Sequence, residues 1–295
     1  MEISSGDQRV VVTESGATLR CYEVGGRAVV EPFDRPEAPV VGCQGEVLAP
    51  WPNRVADGRW TWRGDTRQLS LTEPERGHAL HGLVRSLTWS VVEHHADRLA
   101  LEVLLLAHPG WPFPILASMR YALDADGLSC ALTATNIGRE PCPYGAAFHP
   151  YLALSGGGVD DAVLHLEAAT WLETDDRLIP VARRPTRGTP FDFVDDAPVG
   201  SRRADTAFTD LGRGGGGRVE ATVKGRDGRT AVVWGDESVR WWQVFTGDAL
   251  PEWWRRTTLA LEPMTCAPDA LNSGDGLVVL DPGERHTTAW GLALR

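Results

Sequence analysis

The sequence predicts an all-β protein, a large antiparallel β-sandwich with very little helix. Three observations carry that prediction. Short apolar and β-branched runs recur with turn residues roughly every 8–12 positions, the spacing typical of a sandwich. Asp- and Gly-containing turns separate pairs of such runs. Nowhere does a long segment repeat apolar residues at three, four and seven positions between helix caps.

The elements follow in order. Residues 9–14 are apolar and β-branched, and a Ser15-Gly16 turn leads into the run 17–23. Residues 89–93 precede the apolar run 98–107. Runs 118–123 and 128–135 flank Asp124-Ala125-Asp126-Gly127, a hairpin signal, and 218–224 and 229–234 flank Gly225-Arg226-Asp227-Gly228 in the same way. A third hairpin is expected at the C-terminus, from 276–280 through Asp281-Pro282-Gly283-Glu284 to 286–294. The glycine-rich stretch 212–217 reads as a loop between strands, because strand patterning continues on both sides and no Gly-Lys-Ser/Thr follows. No internal repeat is evident, and residues 1–295 are expected to form a single domain.

Composition narrows the function. A net charge of −11 disfavours nucleic acid and anionic membranes as partners, since phosphates would be repelled. Arg183, Arg184, Arg187, Arg202 and Arg203 are interspersed with Asp192, Asp195 and Asp205, a mixed-charge surface rather than a basic stripe. Five cysteines (Cys21, Cys43, Cys130, Cys142, Cys266) without a CxxC spacing suit a reducing compartment and argue against a zinc ribbon or a disulfide framework. The polar, acidic N-terminus carries no apolar signal core, and no run approaches the roughly 18–20 apolar residues of a membrane span. A cytoplasmic protein is expected. Twelve tryptophans against four tyrosines supply flat apolar faces, most of them for a core and a minority suited to the C–H face of a sugar.

Two segments carry chemistry. His149 and Glu262 each immediately precede a proline, which pushes the residue toward extended backbone and so restricts where its side chain points. If 145–149 and 258–262 are strands, Gly145 and Ala147 share the face of His149, and Thr258 and Ala260 share the face of Glu262. Small neighbours leave a concavity beside each proton-carrying group, the arrangement of an acid/base pair facing a small ligand. Taken singly, a histidine in a β-rich chain is ordinarily a core or surface residue, and a glutamate at a strand end is ordinarily solvated.

Further segments join them: Pro52-Asn53-Arg54, Leu80-His81-Gly82, Phe148-His149-Pro150-Tyr151-Leu152, Asp205-Thr206-Ala207-Phe208, and Leu261-Glu262-Pro263-Met264-Thr265 followed by Ala267-Pro268-Asp269-Ala270-Leu271-Asn272. In this order, across residues 51–272, they resemble the aldose 1-epimerase (mutarotase) family. The resemblance implies a galactose mutarotase-like supersandwich that interconverts the α and β anomers of a free monosaccharide. It implies Glu262 as the base that takes the C1 hydroxyl proton and His149 as the acid that protonates the ring oxygen. In such a pair a dry pocket would raise the pKa of Glu262, and a nearby carboxylate would raise that of His149. His81 would hold a sugar oxygen, Arg54 and Asp205 would bind ring hydroxyls, and Asn53 would join them in binding the substrate. His78 stands where many relatives carry an amide, and would be either a ligand contact or support behind one. Neither metal nor redox cofactor is expected, and the chain would act as a monomer or homodimer. His94, His95, His108, His165 and His286 lie in ordinary strand or loop contexts.

Other readings stay open at this point. A hexose-6-phosphate 1-epimerase would need arginines converging on phosphate, for which Arg54, Arg59 and Arg85 are candidates. A glycoside hydrolase would pair Asp205 with Glu262 and leave His149 and His81 without a purpose. A non-catalytic carbohydrate-binding protein would keep the polar contacts but have no need of Glu262.

Overall fold

Turn chemistry decides where the chain reverses. In a computed structural model, which describes residues 1–33, 40–154 and 156–295, strands Ile115–Asp124 and Gly127–Asn136 form a hairpin of 10-residue strands. Asp124 closes its turn by accepting the Asp126 N–H at 2.8 Å. Strands Val219–Lys224 and Thr230–Gly235 repeat the device, as expected.

The C-terminal segment departs from expectation. Val278–Leu280 pairs with Cys142–Tyr144, not with the last strand. Arg285–Leu294 lies instead between Gly127–Asn136 and Thr230–Gly235. Asn136 enforces the separation: its backbone N–H donates to Glu284, its carbonyl accepts from Gly283, and its side-chain amide donates to the Leu280 carbonyl at 2.8 Å. With the turn anchored this way, the long terminal strand is free to occupy a sheet interior, where both its edges are hydrogen-bonded.

Among the described residues the strands form two large antiparallel sheets, of 12 and 9 strands, and three two-stranded ribbons. Side-chain alternation along each strand directs one set inward between the sheets. Leu152, Trp242, Val244, Leu259 and Leu261 of the larger sheet share one core with Met119, Leu132, Val233, Trp290 and Leu292 of the smaller. Phe148 stacks on Trp290 across the interface at 4.9 Å. Each such burial contributes roughly 1.5–3 kcal/mol. Helix is scarce, with Ala270–Ser273 the one α-helix among the described residues; none is long and apolar enough to cross a membrane. The stretch 212–217 is a loop leading from strand Asp205–Leu211 in one sheet to Val219–Lys224 in the other.

Candidate active site

The outer face of the larger sheet is unusual in its alternation. Strand Thr258–Met264 is buried along its whole length, so neither face meets bulk water. Leu259 and Leu261 enter the core between the sheets, whereas Ala260 and Glu262 point the other way. The neighbouring strands continue the pattern. Gln243 of Trp241–Phe245 lies directly across from Glu262, and Asp205 lies across from Phe245. On the other side, Tyr151 pairs with Ala260 and Ala147 with Met264. Ala147, Ala207, Trp241 and Met264 form a small apolar cluster further along this face.

His149 is not in a strand, contrary to the expectation for 145–149; only Ala147–Phe148 is. Its backbone is nonetheless fixed, donating to the Glu46 carbonyl (3.1 Å) and accepting from Gly45 N–H (2.8 Å). Its ring stacks on Tyr151 at 5.0 Å with the planes 7° apart, and the Tyr151 hydroxyl is tied to the Gly42 carbonyl. This places His149 Nε2 3.4 Å from Glu262 Oε1. Both residues are buried, 5% and 2% exposed.

Asn53 and His81 form a second unit. Both adopt left-handed backbone, φ 53° and 63°, and His81 N–H donates to the Asn53 carbonyl at 2.9 Å. Asn53 N–H in turn donates to His81 Nδ1 at 3.2 Å, which leaves Nε2 as the protonated donor of the neutral ring. His81 meets His149 edge-on at 5.4 Å. The Asn53 side chain accepts the Arg54 N–H at 2.9 Å. Gly82 allows this fold-back, because a Cβ there would sit 2.2 Å from the Ala49 carbonyl oxygen, at φ +70°. Gly82→Ala is therefore expected to cost about 1–3 kcal/mol, visible as a lowered Tm together with weaker sugar binding.

Arg54 forms the third part. Its guanidinium grips Glu73 with two bonds, 2.8 and 3.0 Å, and reaches Asp205 at 3.6 Å. Asp205 is held from its other oxygen by Gln243 Nε2 at 2.5 Å. The Ala267–Asn272 segment supports all this from behind. Asp269 N–H donates to the Arg54 carbonyl, Asp269 Oδ1 accepts Ala56 N–H, and Asn272 donates to the Arg59 carbonyl.

These residues enclose a cavity of about 250 Å³ lined by Asn53, Arg54, Glu73, His81, His149, Tyr151, Asp205 and Glu262, among others. That is smaller than the roughly 300–1,000 Å³ of sites for drug-sized ligands, and suits a single sugar ring. Two larger hollows of about 470 Å³ lie around Gly212 and hold none of these groups. His149 Nδ1, Glu262 Oε2 and Gln243 Oε1 are buried without a partner. His149 and Glu262 both line this cavity, and orphaned polar atoms there mark a place where a polar ligand completes the network.

Burial controls the charges. It pushes the Glu262 carboxyl well above its usual range, the nearby Asp205 charge raises it further, and Arg54 only partly opposes them. Burial also lowers His149, to about 3, with Arg85 adding to the effect. The sequence suggests instead that a neighbouring carboxylate raises His149. That expectation is corrected: desolvation of the buried ring is the largest influence on His149, and the raised Glu262 carboxyl offers it little opposing charge. His81 is likewise held well below its ordinary value by burial, with the His149 ring, Arg85 and Arg54 adding to it.

Of the residues singled out in the sequence, Asn53, Arg54, His81, His149, Asp205 and Glu262 converge on the cavity. His78 does not line it; its ring is buried behind the wall, accepting Asp57 N–H and bonding the Arg177 carbonyl. Arg85 is engaged by Glu46 at 2.9 Å, and Arg59 is exposed outside the cavity, so the three arginines considered for phosphate do not converge. Glu73 and Gln243 went unnoticed in the sequence. Gln243, a lone polar residue in the run Trp241-Trp242-Gln243-Val244-Phe245, was the available signal; Glu73 gave none.

The chain's similarity to known proteins is consistent across its length. Residues 1–292 match the family model for aldose 1-epimerase. The Escherichia coli K12 protein YihR, described as uncharacterized, is 30% identical over 290 residues, covering 97% of this chain and 90% of that protein. An Escherichia coli K12 aldose 1-epimerase is 29% identical over 204 residues, 62% of this chain and 57% of the enzyme. The solved structure of a GalM/aldose epimerase homologue from C. elegans superposes with a TM-score of 0.90 at 19% identity, covering 100% of this chain and 98% of that one, and shows the galactose mutarotase-like fold. A match running from end to end of the chain places it in the aldose 1-epimerase family.

Proposed function

We propose that this protein interconverts the α and β anomers of a free aldose by acid/base opening and reclosure of the sugar ring. The observation that supports this most is the His149–Glu262 pair, 3.4 Å apart and buried at one cavity with an unpartnered atom on each residue. Ring opening removes one proton from the C1 hydroxyl and delivers one to the ring oxygen. Two positioned groups that hold one proton between them can do both. Once the shared proton has passed from Glu262 to His149, Glu262 takes the hydroxyl proton, His149 protonates the ring oxygen, and the C1–O5 bond breaks to give the aldehyde. Rotation about C1–C2 presents the other carbonyl face, and the ring closes with the two residues exchanging roles. No net proton is consumed. His81 Nε2–H and the Arg54 guanidinium donate to sugar oxygens, and Asp205, held by Gln243, accepts from hydroxyls.

A phosphorylated substrate is less well supported. Arg54 and Arg76, the arginines lining the cavity among the described residues, are both bonded to Glu73, which already offsets the charge they could offer a phosphate. A binding-only role gives no reason to bury a carboxyl beside an imidazole, since burial penalises the charged form of each.

Polarimetry on freshly dissolved α-glucose and α-galactose tests the reading. The expected result is an accelerated approach to anomeric equilibrium with at least one of them. Acceleration confined to a hexose 6-phosphate would replace the free-aldose reading. The pH profile supplies a second check. The pair loses its base when a second proton binds and its acid when the shared proton leaves. With His149 lowered to about 3 and Glu262 raised, kcat/KM is not expected to fall as the pH drops from 7 to 5. A fall centred near 6.5, the ordinary imidazole value, would contradict the buried-pair assignment.

A further inference from the structure

We propose that Arg177 is a positioning residue for sugar binding, a latch that fixes the loop of residues 72–77 against the cavity. That loop supplies Glu73, Glu75 and Arg76 to the cavity wall. Its internal bonds, from Gly77 and His78 N–H to the Glu73 carbonyl and from Glu73 N–H to the His78 carbonyl, hold its shape. They do not determine where it sits relative to the sheet.

Arg177 does. It stands between strands Ala168–Thr174 and Pro180–Pro185, in the turn of the hairpin that ends the larger sheet. Asp175 Oδ1 preforms this turn by accepting the N–H groups of Arg177 and Ile179, each at 2.9 Å. The guanidinium then donates to the Arg76 carbonyl from Nε (3.0 Å) and Nη2 (2.9 Å), and to Asp57 Oδ1 at 2.6 Å. His78 completes the joint. Its Nδ1 accepts Asp57 N–H at 3.2 Å, so Nε2 carries the proton that it donates to the Arg177 carbonyl at 3.1 Å. Three segments distant in sequence meet here: the one following Arg54, the one carrying Glu73, and the hairpin turn. Gly77 keeps the approach open, since a Cβ there would lie 3.3 Å from Arg177 Nη2 at φ +73°.

Arg177 itself does not line the cavity and remains 46% exposed at its side chain. It touches neither the proton-transfer pair nor the sugar. Its effect is on how often the wall is in its binding position. If the latched position falls to about a tenth of the population, apparent affinity falls about tenfold while the bound complex reacts as before.

The inference uses the proposed sugar site for its kinetic readout, so the test includes one that does not. Arg177→Ala and Arg177→Lys are compared with the wild type in steady-state mutarotation, in sugar titration by tryptophan fluorescence, and in amide hydrogen exchange. For Arg177→Ala, KM and the sugar Kd are expected to rise about 3- to 10-fold, with kcat within twofold. Exchange protection should be lost at Gly77 and His78 but kept in Thr258–Met264, and Arg177→Lys should lie between. Unchanged affinity and unchanged exchange would overturn the latch, as would a kcat that falls as far as kcat/KM. If the wild type fails to accelerate mutarotation, the functional reading fails alone; loop exchange and sugar affinity then decide the latch.

Discussion

Glu262→Gln is expected to slow anomer interconversion by about 10²- to 10⁴-fold, the range a positioned proton-transfer group supplies, and to leave the fold intact. The two halves of this expectation have one cause. Burial and the adjacent Asp205 favour the protonated form of the Glu262 carboxyl, which a neutral amide of nearly the same shape imitates. No buried charge is stranded and no cavity is opened, and Tm should move by less than about 2–4 °C, the equivalent of ~1 kcal/mol. An amide can neither take the C1 hydroxyl proton nor pass one to His149, so only the chemistry is lost. Thermal melting and polarimetry on the same sample check both halves. A variant that melts as the wild type does and keeps its rate would move the base to another residue.

Arg54→Met is expected to do the reverse, damaging stability and binding together. Burial alone would push the Glu73 carboxyl up, yet the hydrogen bonds and charge of Arg54, with Arg76, hold it below its ordinary value. Removing the guanidinium leaves Glu73 buried with Arg76 as its remaining cation. It also deprives Asp205 of its nearest positive charge. Breaking a buried pair costs roughly 3–5 kcal/mol, and the surviving Arg76 contact argues for the lower end. A Tm lowered by about 5 °C or more, with sugar Kd raised at least about tenfold, is the expected pair of readings. An Arg54→Met protein with wild-type Tm and affinity would show that the Arg54–Glu73–Asp205 chain neither supports the fold nor meets the sugar.

What could be read from the sequence follows the range of the interactions involved. Local devices were legible. The alternation of Leu259 and Leu261 against Ala260 and Glu262 is a property of seven consecutive residues, and it survives in strand Thr258–Met264. The Asp124–Gly127 turn closes on itself through Asp124 and Asp126. Motif order across residues 51–272 led to six of the residues that now line the cavity. Partners supplied by distant segments were not legible. Nothing near Arg54 announces Glu73, and nothing near His78 announces Arg177. The last strand was misassigned to a hairpin because Asn136, remote in sequence, takes up the turn's backbone groups. The direction of the His149 shift depends on how completely the ring is buried, which only the packed sheet and the stacked Tyr151 determine.

The central claim is that His149 and Glu262 transfer the protons that open and close a sugar ring. The most direct measurement is two-dimensional proton magnetisation exchange between the α and β anomeric signals of an equilibrated aldose. It observes interconversion itself, separately from binding. The expected result is α-to-β exchange cross-peaks with the wild type that vanish with Glu262→Gln, although the variant still perturbs the sugar signals as it binds. Sugar binding by the wild type with no exchange above the protein-free rate would contradict the claim and leave a carbohydrate-binding protein built on an epimerase fold.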